Sequence, residues 1–117
     1  MPVANPQDGD KILVLKQDWL ERIFADKTME VRGRNMAAGP YYLGSSGLIW
    51  GRAVLDSGVR IATDEEWVAL RGEHRVDTDI LPYRKTYGFR IRSVERLGRP
   101  MPYTHPRGAI GIVKFRH

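Results

Sequence analysis

The sequence predicts an α+β fold, a small mixed β-barrel of about five or six short strands with two short helices. Its 117 residues suit one domain, and a chain with 42% hydrophobic and 28% charged residues is typical of folded globular proteins. Most patterned segments alternate apolar and polar residues, as half-buried strands do, whereas two segments show helical spacing. So few helices favour a barrel over a doubly wound parallel sheet. We expect residues 1–10 to be a flexible N-terminal segment and residues 11–117 to be the single domain.

Six segments have strand character. Residues 11–16 form an apolar run typical of a buried strand, and in residues 28–32 two apolar side chains, Met29 and Val31, alternate with polar ones. The other predicted strands are 41–43, 48–55, 86–97 and 109–115. In the fifth of these segments the aromatic residues share the inward-facing phase and the arginines the outward-facing one.

Two helices interrupt the strands, and each begins with a capping pattern. Asp18, followed three residues later by Glu21, resembles a capping box and opens a helix that ends near Lys27. Thr63 and Glu66 have the same spacing and open the second helix. The pattern changes to period two directly after the first helix, which predicts that a strand follows it closely.

Composition excludes several classes of function. The chain has no cysteine, which rules out disulfides, a thiolate nucleophile and cysteine-ligated zinc. The histidines at 74, 105 and 117 lack metal-ligand spacing, so we expect no metal site and no cofactor. The longest apolar run, Ile12 to Leu15, is far shorter than a membrane span, and the polar start does not resemble a signal peptide. We therefore expect a cytoplasmic protein without membrane contact.

Basic residues are concentrated near the end of the chain. Residues 1–83 carry 10 basic and 13 acidic side chains, whereas residues 84–117 carry nine basic side chains and one acidic one. A one-sided field attracts polyanions, and arginine suits phosphate contact and base stacking. This distribution favours an RNA partner and a solvated basic face about equally. The candidate nucleic-acid-binding residues are Trp50, Arg52, Arg90, Arg92 and Arg107, although packing in the barrel is the stronger interpretation for the tryptophan.

Polar residues recur just after the first helix, in Lys27-Thr28-Met29-Glu30-Val31-Arg32. Strand alternation places Thr28, Glu30 and Arg32 on one face, and the end of the helix brings Lys27 close to them. An amine, a hydroxyl, a carboxylate and a guanidinium together suit a nucleobase edge or proton-transfer and acyl chemistry. By spacing alone, a solvent-facing strand edge with a weak Glu30–Arg32 ion pair is the simpler interpretation.

Two serines form a second candidate site. Ser45 and Ser46 lie in the glycine-flanked segment Gly44-Ser45-Ser46-Gly47, which ends the third predicted strand. Backbone amides and hydroxyl groups in such a turn can bind an anion, so we consider both serines as substrate-binding residues. Turn chemistry explains the same residues without a ligand, and it is the stronger interpretation.

These segments, taken in order, resemble the ASCH domain family, a branch of the PUA-like superfold. The family's G-x-K-x-x-E-x-R stretch is similar to residues 25–32, in which Ala25 replaces the glycine. Further similar segments are Pro40–Leu43 with its following serines, Gly51–Asp56, Lys85–Phe89 and Pro102–Gly108. The resemblance covers residues 11–116 and agrees with the element order predicted independently.

The resemblance implies a PUA-like β-barrel with a cleft beside the first helix. ASCH domains were proposed as RNA-binding modules, some small bacterial members remove the acyl group from N4-acetylcytidine, and others are described as ribonucleases. In the deacylating group a lysine, a threonine and a glutamate are implicated in catalysis. Lys27 stands in the place of that lysine, whereas Glu30 stands where that group has threonine. The resulting expectation is that Lys27 and Glu30 are catalytic, and that substrate is bound by Thr28, Arg32, Ser45 and Ser46.

Two classes of function remain open at this point. The favoured one is hydrolysis of the acyl amide of an N4-acetylcytidine-like nucleoside, with Glu30 activating water and Lys27 assisting the leaving nitrogen. The alternatives are a non-catalytic RNA-binding module, in which the arginines hold the RNA backbone, and a ribonuclease. Binding through phosphates weakens steeply with salt, whereas turnover of a neutral nucleoside does not, so salt dependence separates them.

Overall fold

The computed structural model describes residues 4–116, which form seven strands and three helices. The strands are β1 (Lys11–Val14), β2 (Met29–Arg32), β3 (Gly39–Ser45), β4 (Leu48–Leu55), β5 (Val59–Ile61), β6 (Thr86–Pro102) and β7 (Ile112–Lys114). The helices are α1 (Gln17–Ala25), α2 (Asp64–Ala69) and α3 (Arg71–His74). The sequence prediction lacks β5 and α3 because segments of three and four residues carry too little periodicity. Within residues 4–116, no helix is long and apolar enough to cross a membrane.

The strands form one curled, half-barrel sheet. Its order is β2-β6-β4-β3-β1-β7, and β5 also pairs with β6. Strands β1 and β3 run parallel, whereas the other described pairs are antiparallel. The long strand β6 joins the two halves of the sheet, since its first residues pair with β2 and its later residues pair with β4. The predicted α+β class and the mixed, barrel-like sheet are therefore confirmed.

Both faces of the central strands are buried. On β1, Ile12 and Leu13 are both fully buried but belong to different core clusters, because successive strand residues point to opposite faces. The largest cluster packs α1 onto the sheet through Leu20 and includes Phe89 of β6, which confirms the predicted inward face of that strand. A third cluster, centred on Trp67, holds α2 and α3 beside β2. This packing places the short helices next to the polar residues of β2.

The start of α1 differs from the prediction. The helix begins at Gln17, and Lys16 is its N-cap, without a hydrogen bond from its side chain. Asp18 therefore lies inside the first turn, so the predicted Asp18–Glu21 capping box is wrong. Glu21 instead forms an ion pair with Arg96 of β6 at 3.1 Å. The second capping pattern is correct, since a threonine hydroxyl at position 63 accepts a hydrogen bond from the backbone N–H at position 66.

The turn between β3 and β4 is shorter than predicted. Gly44 and Ser45 belong to β3 and pair with β4, so the turn consists of Ser46 and Gly47. Both turn residues have positive φ, 55° and 75°, which is typical of a two-residue hairpin turn of type I′. The predicted four-residue turn is therefore wrong, because the register of the ladder extends the strand by two residues.

The described part of the N-terminal segment lies against the sheet. The Tyr42 hydroxyl donates a hydrogen bond of 2.6 Å to the Ala4 carbonyl, and Pro6 is fully buried. Residues 4–10 thus have defined contacts with the domain, although the sequence predicts a flexible segment. Positions 1–3 of that predicted segment lie outside the described residues.

Candidate functional site

A cavity of about 350 Å³ lies between the start of α1, strand β2 and the segment that follows α3. This volume is within the range of small-molecule pockets. The polar and aromatic side chains that line it are Lys16, Trp19, Lys27, Glu30, Arg32 and Tyr83. The cavity therefore combines charged groups with flat apolar surfaces.

Lys27 is buried in the wall of this cavity, with 4% of its surface exposed. Its ammonium donates a 3.0 Å hydrogen bond to the His74 carbonyl and lies 3.6 Å from Glu30 Oε1. It also lies 4.4 Å from the centre of the Trp19 ring, a cation–π contact. Burial lowers the pKa of Lys27 from its ordinary value of 10.5, and Arg32 lowers it further, although Glu30 opposes both effects. An amine with a lowered pKa gives up its proton more readily than a free lysine does, which suits it to proton transfer.

Glu30 is held in one orientation by Arg32, two residues further along β2. Arg32 donates to the same carboxylate oxygen, Oε2, from Nε at 3.0 Å and from Nη2 at 2.7 Å. Nη2 also donates to the Val14 carbonyl at 3.2 Å, which ties the guanidinium to the end of β1. Both of the bonds from Arg32 to Glu30 use Oε2. The other carboxylate oxygen, Oε1, faces Lys27. The alternation predicted for Glu30 and Arg32 thus places them on a common, partly enclosed surface.

His74 supports Lys27 from behind the cavity. Its ring is fully buried and stacks on Trp67, with the ring centres 3.6 Å apart. The Val76 N–H donates to Nδ1 at 2.9 Å, so Nε2 carries the proton and donates to the Trp67 carbonyl at 2.8 Å. Burial lowers the pKa of His74 below its ordinary value, which favours this neutral form. The ring therefore fixes the backbone whose carbonyl accepts from Lys27.

The segment after α3 supplies an apolar wall. Val76, Pro82 and Tyr83 line the cavity from this segment, and the Tyr83 side chain is half-exposed at 47%. Gly33 allows Tyr83 to approach the end of β2, because a Cβ atom at that position would lie 2.9 Å from Tyr83 Cδ1. Together with Trp19, these side chains form surfaces on which a flat heterocycle can lie.

Three predicted substrate-binding residues lie away from the cavity. Thr28 precedes β2, its N–H donates to the Glu73 carbonyl at 2.9 Å, and its side chain is exposed outside the cavity. Strand alternation does not reach Thr28, because β2 begins at the next residue. Ser45 is buried within β3, and Ser46 lies in the exposed hairpin turn. The structure brings Lys27, Glu30 and Arg32 together and leaves these three residues elsewhere.

Two of the arginines predicted to contact nucleic acid have acidic partners. Arg90 donates to both carboxylate oxygens of Glu73, at 3.0 and 3.3 Å. Arg92 lies 2.7 Å from Asp56. These contacts neutralise much of the basic field along β6, which sequence counting could not anticipate because both acids come from distant segments.

The other three predicted nucleic-acid residues lie on β4 and in the turn after β6. Trp50 is half-buried against the largest core cluster, and its indole N–H donates to the Ser45 carbonyl at 3.1 Å. Arg52 is half-buried and lines a second cavity of about 530 Å³. Arg107 is exposed in the turn after β6. Trp50 and Arg52 thus lie on β4, Arg90 and Arg92 line a common cavity beside β6, and Arg107 lies in the following turn.

The histidines contribute to the fold rather than to the cavity lining. His105 is bonded within its own turn, to the Tyr103 hydroxyl at 3.0 Å and to the Ala109 carbonyl at 2.8 Å. His74 is held as described above, and His117 lies outside the described residues. Among residues 4–116, no group of three or more His, Asp or Glu side chains is placed to hold a metal ion.

Sequence reasoning missed four residues of the site, namely Lys16, Trp19, His74 and Tyr83. Trp19 falls on the apolar phase of α1, a pattern that indicates a core position rather than a cavity wall. The position of Lys16 could have been inferred from the sequence. It follows the first apolar run and directly precedes α1, and Lys27 comes soon after the other end of that helix. His74 and Tyr83 have no such signal, because tertiary folding alone brings residues 74–83 to β2.

Two solved structures share the architecture described above. One is an ASCH protein from Zymomonas mobilis, with a TM-score of 0.72 and 16% identity over 92% of this chain and 88% of that chain. The other is a point mutant of ZmASCH from the same organism, with a TM-score of 0.71 and 16% identity over 96% of this chain and 92% of that chain. The chain has the ASCH fold. No protein-family model and no curated protein sequence matches it.

The cavity of this chain can be compared with the segment that resembles the ASCH motif. In this chain the cavity lies beside the first helix and is lined by the residues that resemble the family's Lys-Glu-Arg motif. At 16% identity the structural likeness establishes the fold and does not extend to the activity. The chemistry must therefore be argued from the side chains of this chain.

Proposed function

We propose that this protein hydrolyses the acyl amide of N4-acylated cytosine nucleosides. The observation that carries the proposal is the buried pair in the cavity, in which the Lys27 ammonium lies 3.6 Å from Glu30 Oε1. A buried amine with a lowered pKa beside an oriented carboxylate is a common arrangement for acid–base chemistry. The resemblance to ASCH deacylases supports the choice of substrate.

In the first step Glu30 acts as the general base. Oε1 accepts a proton from a water molecule while the water oxygen forms a bond to the amide carbon. The carbonyl oxygen becomes an oxyanion, which the Lys27 ammonium stabilises through its charge. Arg32 holds Oε2 and so keeps Oε1 directed toward the cavity.

In the second step the carbon–nitrogen bond breaks. The electron pair goes to N4 of the base, and N4 receives the proton that Glu30 took from water, either directly or through Lys27. The products are a carboxylic acid and cytidine, so the reaction consumes one water and needs no redox partner. The apolar surfaces of Trp19 and Tyr83 would hold the flat base during both steps.

Release of cytidine from N4-acetylcytidine tests this proposal. We expect wild-type protein to turn the compound over, and Lys27→Ala and Glu30→Gln to reduce kcat by at least about a hundredfold. Lys114→Ala, an exposed lysine on β7, is a matched control and is expected to retain full activity. Absence of turnover in the wild type, or equal rates in wild type and Lys27→Ala, would overturn the proposal.

RNA binding is a second proposed function, supported by the free cations near the end of the chain. From residue 99 to residue 116, three exposed arginines have no ion-pair partner within the described chain, namely Arg99, Arg107 and Arg116. We expect binding of a short single-stranded RNA to weaken with salt, with a logarithmic slope of about −0.7 for each phosphate contacted. Arg99→Glu with Arg107→Glu should lower the affinity, whereas Arg34→Glu, on an exposed loop, should not. Salt-independent binding would contradict this proposal.

The structure offers less support for a ribonuclease. An acid–base reaction on a phosphodiester commonly uses two histidines, and the two described histidines are engaged in the fold. Lys27 and Glu30 remain the candidate groups for such a reaction. Cleavage of a labelled RNA by wild type but not by Lys27→Ala would favour it over deacylation.

A further inference from the structure

The charges that line the Lys27 cavity are unbalanced. Among the lining residues of the described chain, Lys16, Lys27 and Arg32 are basic and Glu30 is the single acid. Glu30 already accepts two hydrogen bonds from Arg32 and lies beside Lys27. The lining remains net positive even when Lys27 is neutral. A neutral nucleoside would leave this positive charge uncompensated.

Three donors around the cavity have no partner among the residues that the structure describes. Within residues 4–116 the Lys16 ammonium makes no hydrogen bond or ion pair, and its side chain is exposed. The Nη1 nitrogen of Arg32 is likewise unbonded, since the described contacts of that guanidinium use Nε and Nη2. The Tyr83 hydroxyl, half-exposed on the opposite segment, makes no hydrogen bond in the described chain. Donors of this kind, two of them cationic, are those that bind phosphate.

We propose that the ligand of this cavity carries a phosphate on its sugar, and that Lys16, with Nη1 of Arg32, binds that phosphate. This proposal deepens the proposed function, on which it rests, by making the substrate an acylated cytidine nucleotide rather than the free nucleoside. A 5′-monophosphate and a nucleotide within RNA share this chemistry. Lys16 acts as a specificity-determining residue, because it discriminates by the charge of the sugar substituent and takes no part in amide cleavage.

Turnover of matched substrates tests the inference. We compare kcat/KM for N4-acetylcytidine, its 5′-monophosphate and a short RNA containing one acetylated cytidine. We expect the monophosphate to be preferred over the nucleoside by about tenfold or more, as one charge-assisted contact provides. In Lys16→Met this preference should fall about tenfold, Lys16→Arg should restore most of it, and Lys114→Met should leave it unchanged. A preference for RNA over the monophosphate would identify the polymer as the source of the phosphate.

Binding measurements separate the failure of this inference from the failure of the proposed function. Calorimetric titration with cytidine and with cytidine 5′-monophosphate requires no turnover, so it tests the phosphate contact by itself. Tighter binding of the monophosphate that disappears in Lys16→Met supports the inference even if no amide is cleaved. Equal affinities, equal kcat/KM values for nucleoside and nucleotide, or no binding of either compound would overturn it. Turnover of the nucleoside without preference for phosphate would leave the proposed function standing alone.

Discussion

Replacing Lys27 by methionine distinguishes a catalytic lysine from a structural one. Lys27 is almost fully buried, and its lowered pKa means that the charged amine is less stable in the fold than in water. Methionine has a similar length and no charge, so it removes this desolvation cost while filling the space. Glu30 keeps its ion pair with Arg32 in the variant. We therefore expect the variant to fold at least as stably as the wild type while losing activity.

The magnitude follows from the opposing contributions. At 3.6 Å and an effective dielectric constant of about 20, attraction between Lys27 and Glu30 is about 4–5 kcal/mol. The hydrogen bond to the His74 carbonyl adds about 1.5–3 kcal/mol. Burying the ammonium costs several kcal/mol, and the direction of the pKa shift indicates that this cost is the larger quantity. We expect the free energy of unfolding to be unchanged or to rise by about 1–2 kcal/mol.

Urea unfolding at neutral pH, followed by circular dichroism, measures this change. A gain of 1 kcal/mol corresponds to a rise in Tm of about 4 °C for a domain of this size. Glu30→Ala is the contrasting variant, because it leaves the buried Lys27 and the partly buried Arg32 without an acid and should cost about 3–5 kcal/mol. A loss of more than about 2 kcal/mol in Lys27→Met would refute the reasoning, since the lysine would then stabilise the fold.

Three further predictions concern the surroundings of Lys27. Arg32→Lys removes the two-donor grip on Glu30, so kcat for the acylated nucleoside should fall about tenfold to a hundredfold, and a rate equal to wild type would contradict the positioning role. The lowered pKa of His74 means that the unfolded chain binds a proton more readily than the fold does. Its stability contribution is therefore present above pH 6.5 and is lost as the pH falls below 6.5 through the lower folded pKa. The urea midpoint should fall less steeply between about pH 7.5 and pH 5 in His74→Asn than in the wild type. Identical slopes in the two proteins would contradict this role of His74. Gly33→Ala should displace the Tyr83 ring and raise KM about twofold to tenfold, with kcat changed less; an unaltered KM would show that the ring position does not affect binding.

Patterns among residues close in the sequence predicted the parts of the fold that depend on such residues alone. The alternation in β4, β6 and β2 follows from the pleat of a strand, so the inward position of Phe89 and the shared face of Glu30 and Arg32 could be predicted. The same rule failed for Thr28, because the strand begins one residue later than its polar pattern suggests. The turn composition of residues 44–47 was also misleading for Ser45, whose pairing with β4 depends on hairpin register.

The sequence by itself determined the α+β class, the order of the main elements and the presence of an amine, a carboxylate and a guanidinium within one short segment, Lys27–Arg32. Tertiary structure alone decided that this segment is enclosed. The hydrogen bond from Lys27 to the His74 carbonyl joins residues 47 positions apart, and Arg90 and Arg92 are paired with acids from distant segments. Periodicity reports the direction of a side chain relative to its own strand. Burial, the lowered pKa of the lysine and the free donors of the cavity depend on which other segments pack against that strand.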